Sequence, residues 1–240
     1  MNAEFQPAWR MGLTLVELMV ALTILLVLAA ITATELHSLP EEGRRSAAAN
    51  NARQINAAYL LFTTGGEGRR ALATPAQLAT AALRSGQSHF ERVTDIEDVA
   101  LNLARSSDLN DAAVWFIESD PKLAGLAIPR QVISGDTRTA KACALDFQKF
   151  TPKAWAFVAG LPASMTGSET PLFWTYGLDV PANHWLADSP WQGKGDHVAY
   201  LDGHVEWFEK LPAGATGFQF SKPDDVRAGI MPEVLNALGR

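Results

Sequence analysis

The sequence predicts an α+β fold in which a long N-terminal helix packs on a globular domain of short helices and an antiparallel β-sheet. Three observations support this prediction. Residues 13–34 form an almost unbroken apolar run. Residues 44–62 are rich in Ala and place apolar side chains at helical spacing. Further along the chain, short runs of aromatic and β-branched residues alternate with segments that contain Gly and Pro, as strands and turns do.

Composition and charge narrow the function classes. The chain has 240 residues, enough for one sizeable domain after a helix, and a formal net charge of −6. An acidic chain without clustered Lys and Arg argues against a nucleic-acid surface. The single cysteine, Cys143, excludes an intramolecular disulfide. We expect it to be a small buried apolar residue, because no His lies near it in the sequence to activate a thiolate.

The apolar run of residues 13–34 predicts a transmembrane helix. At about 1.5 Å per residue it is long enough to cross the hydrocarbon core of a bilayer, and Glu17 is its only charge. A cleaved secretory signal peptide is the rival interpretation, but its apolar region is shorter and ends at small residues of the Ala-x-Ala type. Here Ala29 and Ala30 are followed by Ile31, which does not fit that site.

Glu17 is the unusual residue of this run. A carboxylate near the centre of a membrane span costs about 2.5–3.5 kcal/mol, so such acids usually have a functional partner. Alternatively, Glu17 lies only one turn inside the membrane and extends its carboxylate to the headgroups. Spacing alone leaves both interpretations open.

The sequence GLTLVEL at positions 12–18 resembles the type IV prepilin signature. The resemblance implies that prepilin peptidase cuts after Gly12 and that Leu13, the new N-terminus, is methylated. It also implies that Glu17, at the fifth mature position, pairs with the N-terminal amine of a neighbouring subunit during assembly. Two features depart from the family pattern: Leu13 stands where Phe or Met is commoner, and Arg10 is the only basic residue of the leader.

This resemblance implies a pseudopilin-like structural subunit, not an enzyme, of a type II secretion or type IV pilus-like filament. Its parts would be a leader at 1–12, a transmembrane and spine helix at 13–64, and a globular α+β domain at 65–240. The subunit would cross the inner membrane once, with its C-terminal domain in the periplasm, before it joins the filament. Its partners would be prepilin peptidase, other pilin or pseudopilin subunits and inner-membrane lipid, with no nucleic acid.

Helix signals follow the apolar run. Pro40 predicts a kink or restart, and the stripe formed by Ile55, Tyr59 and Phe62 predicts that the next helix packs on a core. Gly65 and Gly66 should end this helix. Two shorter helices are predicted at 75–83, capped by Thr74, and at 95–105, opened by a capping box of Thr94 and Glu97.

Strand signals dominate the second half of the chain. The runs at 113–117, 155–158 and 173–176 are β-prone, and residues 197–208 predict a hairpin. Because Asp202-Gly203 suits a type I′ turn, we expect Tyr200 to lie opposite Val205, and Val198 opposite Trp207.

The tetrapeptide DGHV at 202–205 is similar to the C-terminal end of a bacterial group of prepilin-type proteins related to the secretion pseudopilins. That group often carries a His ten positions before the Asp. Gln192 stands at this position here, so any role of that His does not transfer.

No catalytic motif is found: Gly-x-Ser-x-Gly, His-Glu-x-x-His, Cys-x-x-Cys and phosphate-binding Gly loops are all missing from the sequence. The acids and His residues at the two ends of the predicted hairpin are too far apart to share a zinc ion. We therefore predict no resident cofactor. Calcium stays possible because major pseudopilins of similar architecture bind it in a C-terminal loop, and the candidate oxygens here belong to Asp179, Asp188 and Asp196.

The seven Trp residues raise the alternative of a carbohydrate surface. Four of them lie in strand-like runs and should pack in the core, whereas Trp185 and Trp191 flank a loop and are the only candidates for exposure. The alternative functions are therefore a membrane-anchored ligand-binding (for example carbohydrate) or enzymatic domain exported by a pilin-like route, or a minor pilin in adhesion or DNA uptake. The four core candidates are Trp115, Trp155, Trp174 and Trp207.

Overall fold

The computed structural model contains both helices and an antiparallel sheet, so the α+β prediction is confirmed at that level. The chain divides into two compact units, Met1–Arg45 and Ser46–Arg240, which are described separately below. The structure describes residues 15–36, 39–65, 70–82, 89–150, 153–161, 167–179, 184–210 and 233–235.

The first unit contains α1 (Leu15–Leu36) and the beginning of α2 (Leu39–Thr64). The restart predicted near Pro40 is confirmed, since α1 ends at Leu36 and α2 begins at Leu39. Where side chains are described, which for α1 means residues 15–28, no helix is both long enough and apolar enough to cross a membrane. The predicted membrane span therefore stays a prediction.

Residues 46–64 of α2 belong to the second unit and pack on its sheet. The predicted stripe of Ile55, Tyr59 and Phe62 is buried, and the ring of Tyr59 meets that of Phe157 edge-on at 5.5 Å. The helix ends where predicted, because the amide of Gly65 donates the last helical hydrogen bond. Ala48 and Ala52 extend the buried stripe toward the N-terminus.

Two short helices and a pair of strands follow. β1 (Arg70–Ala73) pairs in parallel with β2 (His89–Arg92), and α3 (Pro75–Ala82) lies between them in the chain. The predicted cap of α3 is confirmed: the amide of Gln77 donates to the hydroxyl of Thr74, and the amide of Thr74 donates back to the side-chain oxygen of Gln77. The sequence pattern had not indicated the parallel strands.

α4 (Ile96–Ser107) begins one residue later than predicted. Its N-cap is Asp95, whose carboxylate accepts from the amide of Asp98 at 2.9 Å. Thr94 instead donates both its amide and its hydroxyl to the carboxylate of Asp98. The predicted box of Thr94 and Glu97 is therefore wrong, because the adjacent Asp95 is an equally good cap at the same spacing from another acid.

Five antiparallel strands form the central sheet, in the spatial order β8-β7-β4-β3-β9. β3 and β4 lie in the middle and are buried at every position, which explains their continuous apolar runs. The strands are β3 (Trp155–Ala159), β4 (Pro171–Thr175), β7 (Asp196–Tyr200), β8 (Val205–Phe208) and β9 (Glu233–Leu235), while β5 (Leu178–Asp179) and β6 (His184–Trp185) form a separate pair and α5 covers Leu145–Lys149.

The strands predicted at 155–158 and 173–176 are confirmed by β3 and β4, but the strand predicted at 113–117 is wrong. Ala112–Trp115 forms a 3₁₀ helix, capped by the carboxylate of Asp111, which accepts from the amide of Ala113 at 2.9 Å. A short buried apolar run has the same composition in either conformation, so the preceding cap decides between them.

Candidate functional site

The predicted N-terminal site is only partly covered by the structure. Gly12 and Leu13 lie outside the described residues, so cleavage and methylation are not tested by it. Glu17 lies in the first turn of α1 with an exposed side chain. An acid at this position is favoured by the positive end of the helix dipole.

The side chains of α1 form an exposed apolar surface around Glu17. All side chains from 15 to 28 are exposed, with Leu15 at 74% and Leu26 at 71% of their full exposure. Polar atoms inside the run are satisfied locally, as the hydroxyl of Thr23 donates to the carbonyl of Met19 at 2.7 Å. A contiguous apolar surface of this kind marks contact with lipid or with other proteins.

The hairpin of β7 and β8 exists, but its predicted register is wrong by one residue. Ala199 lies opposite Val205 and Val198 opposite Glu206. Of the two turn residues only Gly203 has a positive φ, 102°, so the turn is not type I′. The chain instead makes a three-residue loop, Leu201–Gly203, closed by the hydrogen bond from the amide of Tyr200 to the carbonyl of His204. A hairpin loop of this length that ends in a Gly with positive φ also suits the Asp-Gly sequence. Because successive side chains of a strand point to opposite faces, this one-residue shift between β7 and β8 places each predicted pair on opposite faces of the sheet.

The DGHV motif builds the end of this hairpin. The carboxylate of Asp202 accepts from the amide of His204 at 3.1 Å and lies 2.6 Å from its Nδ1 atom. The ring of His204 stacks on that of Tyr200 at 4.1 Å. Partial burial raises the pKa of Asp202, but the hydrogen bonds from the backbone and ring of His204 outweigh it, so the pKa lies below its usual range.

Other contacts fix the hairpin end to the rest of the second unit. The amide of Leu201 donates to Thr170, just before β4, and the side chain of Asn56 donates to the carbonyl of Tyr200 at 2.6 Å. These contacts join α2, the end of the hairpin and the segment that precedes β4. Gln192 is exposed and precedes β7, whereas Asp202 follows it, so the five residues of β7 lie between the two positions in the chain.

A buried polar cluster lies at the opposite end of β7. Asp196 has no exposed surface, and neither of its carboxylate oxygens makes a hydrogen bond of normal geometry. Burial raises its pKa well above the usual range. The nearby hydroxyls of Thr175 and Ser189 oppose this shift in part, and the charge of Asp120 adds to it. The environment therefore favours the protonated carboxyl.

Tyr176 contacts both the buried Asp120 and the partly exposed Lys122. Its hydroxyl donates to the carboxylate of Asp120 at 2.7 Å, and burial, followed by that hydrogen bond, raises its pKa. The ammonium of Lys122 lies 4.2 Å from the centre of the Tyr176 ring and 3.4 Å from the carboxylate of Asp188. Lys122 is thus engaged at the surface by Tyr176 and Asp188.

The structure does not bring the three candidate calcium ligands together. Asp196 is fully buried, Asp188 is exposed and paired with Lys122, and Asp179 is half-buried in β5. Within the described ranges, no three His, Cys, Asp or Glu side chains are placed so that they could hold a metal ion.

A buried lysine, Lys153, was not predicted from the sequence. Lys153 has no exposed surface, forms an ion pair with Glu97 in the first turn of α4, and lies 4.9 Å from the ring centre of Phe147. Cys143 lies beside this pair, and its thiol donates to the carbonyl of Glu97 at 3.3 Å. Burial, followed by the charge of Glu97, raises the pKa of Cys143 to about 12, so the thiol stays protonated and unreactive, as the sequence suggested.

Trp185 and Trp191, the two candidates for exposure, are buried. They are only 4% and 5% exposed. The indole of Trp185 donates to the carbonyl of Phe208 at 2.8 Å, and Trp191 packs edge-on against His197 and Trp207. The predicted core positions Trp115, Trp155 and Trp174 are buried, and Trp207 is half-buried.

No family model, curated protein or solved structure matches this chain. The resemblances to prepilin-type proteins therefore depend on the residues of the two motifs alone.

Proposed function

We propose that this chain is a pseudopilin-like structural subunit of a type II secretion or type IV pilus-like filament. In this proposal prepilin peptidase cleaves after Gly12 and methylates Leu13. The observation that carries the proposal is the GLTLVEL sequence at 12–18 immediately before an apolar helix, α1, that has a single acid in its first turn.

The proposed environment of α1 changes during the life of the subunit. A helix that is apolar on every side is stable in lipid, and the subunit would cross the inner membrane once with its C-terminal domain in the periplasm. In the filament, the same apolar surface would pack against the α1 helices of other subunits. Both environments would cover the side chains at 15–28 that are exposed in the isolated chain.

Glu17 would direct the assembly step. A carboxylate within an apolar surface is costly to bury alone, and so is the free amine that cleavage creates on Leu13. Pairing Glu17 of one subunit with the amine of its neighbour offsets both costs. This pairing would also fix the register between successive subunits.

The body of the protein is consistent with a structural role. Residues 46–64 of α2 pack an apolar stripe on the antiparallel sheet, which is the arrangement expected of a spine helix docked on a pilin-like domain. The one surface motif of interest, DGHV, is closed by its own hydrogen bond from the amide of His204 to Asp202, and the neighbouring carbonyl of Tyr200 accepts from Asn56 of α2. The burial of Trp185 and Trp191 removes the main support for a carbohydrate-binding surface.

The proposal is tested by the N-terminus of the mature protein. The full chain is produced with and without an active prepilin peptidase, and the terminal peptide is measured by mass spectrometry. We expect a methylated N-terminus at Leu13 only when the peptidase is active. A Gly12→Val variant is the matched control and should stay uncut. If the wild-type chain still begins at Met1 in the presence of the active peptidase, the proposal is wrong.

A further inference from the structure

The chain between β6 and β7, residues 186–195, forms a series of tight turns that we name the cover segment. Backbone hydrogen bonds join the segment to the rest of the second unit and stabilise its own turns. Leu186 donates to Gly177 at 2.7 Å, Ser189 to Leu186 at 3.0 Å, and Gln192 to Ser189 at 2.9 Å. The amide of Gly193 donates to the hydroxyl of Ser189 at 3.2 Å.

The middle of the cover segment lies against a buried acid. Ser189 is fully buried and close to the carboxyl of Asp196, whose two oxygens are buried without a hydrogen bond of normal geometry. The fit is tight, because a Cβ atom built on Gly177 would lie 2.7 Å from that of Ser189. Ser189 is therefore held closely against the backbone at Gly177, on the side of the segment that covers Asp196.

In the part of the chain that the structure describes, no ion pair compensates an ionised Asp196 carboxylate. Asp120 lies near it with the same charge, and the ammonium of Lys122 lies over the ring of Tyr176 and pairs with Asp188. Among the ion pairs of the described residues none includes Asp196. His197 and Trp207 are opposite each other on the other face of the two strands.

We propose that the carboxyl of Asp196 is a proton-operated latch for the cover segment, which is closed while Asp196 is protonated and opens when Asp196 ionises. A neutral carboxyl can donate its proton to the neighbouring hydroxyl of Ser189 or Thr175 and stay buried. An ionised carboxylate, buried beside Asp120 and with no cation paired to it among the described residues, needs water. Water reaches it only if Ser189 and the turns around it move away.

The direction of the pH dependence follows from the burial. The folded protein holds the proton of Asp196 more tightly than the unfolded chain does, because burial raises the pKa of this carboxyl. The closed state is therefore fully favoured below the ordinary pKa of an Asp, and it is lost progressively as the pH rises toward the raised value. The cover segment carries exposed residues, so its opening would change the protein surface.

The test is amide hydrogen exchange in the full chain, measured at about pH 5 and about pH 8 and corrected for intrinsic exchange. In the wild type we expect the protection of Ser189 and Gly193 to fall by about tenfold or more at the higher pH, while that of β3 and β4 changes little. Asp196→Asn should remove this pH dependence. Asp188→Asn, which removes an exposed carboxylate from the same segment, should retain it. Equal protection at the two pH values in the wild type, or an unchanged dependence in Asp196→Asn, would overturn the proposal.

A second measurement keeps the proposal testable if Asp196→Asn does not fold. The wild-type chain is labelled with ¹³C at its Asp carboxyl carbons and titrated by NMR. One carboxyl signal should titrate well above all the others, and it should do so over the pH range in which Ser189 and Gly193 lose protection. If every Asp carboxyl titrates near its ordinary pKa, the latch does not exist.

Discussion

The side-chain amide of Asn56, on α2, donates a 2.6 Å hydrogen bond to the carbonyl oxygen of Tyr200, at the last position of β7. Asn56 is fully buried and lies between Ile55 and Tyr59 of the apolar stripe. A polar residue is costly at such a position unless it is hydrogen-bonded. This contact therefore specifies how the helix meets the end of the hairpin, where apolar packing alone would allow several arrangements.

Asn56→Ala should lower the free energy of unfolding by about 1 kcal/mol, because the carbonyl of Tyr200 would lose one of its two donors and keep only the amide of Gly203. Chemical denaturation of the full chain in detergent micelles measures this loss. Asn50→Ala is the matched control, since Asn50 is exposed on the same helix, and its effect should stay below about 0.5 kcal/mol. Equal effects of the two substitutions would contradict the role given to Asn56.

Gly203→Ala should destabilise the protein by about 1 kcal/mol, because Gly203 has a φ of 102° that a side chain disfavours. The strain comes from the backbone and not from a clash, since the nearest atom to an added Cβ is Cδ1 of Leu60 at 3.8 Å. Gly203→Asn should lose less, because Asn tolerates this region better. Thermal denaturation ranks the three proteins, and a greater loss for Asn than for Ala would refute the explanation.

Glu97→Ala should cost about 3 kcal/mol or more, since it leaves the fully buried ammonium of Lys153 without its carboxylate. The double variant Glu97→Leu with Lys153→Met should recover much of this loss, because it removes both charges and keeps their volume. Unfolding free energies of the single and double variants measure the difference. If the single variant is as stable as the wild type, Lys153 does not depend on Glu97.

Cys143 should resist thiol reagents in the folded protein. Burial raises its pKa to about 12, so almost no thiolate forms at about pH 8. We expect its reaction with a chromogenic disulfide to be about 100-fold slower than that of the unfolded chain. The control is Ser134→Cys in a Cys143→Ser background, which places a thiol at an exposed position. A native Cys143 that reacts as fast as this exposed thiol is incompatible with the structure.

Glu17→Ala should leave cleavage after Gly12 intact and abolish incorporation into filaments, because the neighbouring subunit's amine would lose its partner. Sedimentation of sheared filaments, with mass spectrometry of the N-terminus, separates the two effects. Glu42→Ala removes an exposed carboxylate from the first turn of α2 and should assemble normally. Normal assembly of the Glu17→Ala variant would contradict the proposed role of Glu17.

Local signals predicted the helices well. The stripe of Ile55, Tyr59 and Phe62 depends on a period within one helix, and the cap formed by Thr74 depends on residues three apart, so both are visible in the sequence. The predicted start of α4 was one residue too early, because Asp95 rather than Thr94 forms the N-cap.

Features that depend on distant contacts were not predictable. The ion pair of Lys153 and Glu97 joins residues 56 positions apart, and no local pattern marks it beyond a lysine next to an apolar run. The hairpin was predicted, but Asp-Gly is compatible with more than one turn, and packing decided the register. The burial of Trp185 depends on the carbonyl of Phe208, which the sequence does not place beside it.

The order of the strands in the sheet has a consequence for synthesis. β3 lies between β4 and β9, yet residues 233–235 of β9 are made long after β3. Until they emerge, the backbone edge of the apolar strand Trp155–Ala159 lacks the partner that β9 provides. A nascent or truncated chain that lacks β9 would therefore expose this edge to pairing with other chains. We expect aggregation to be the first defect of such products.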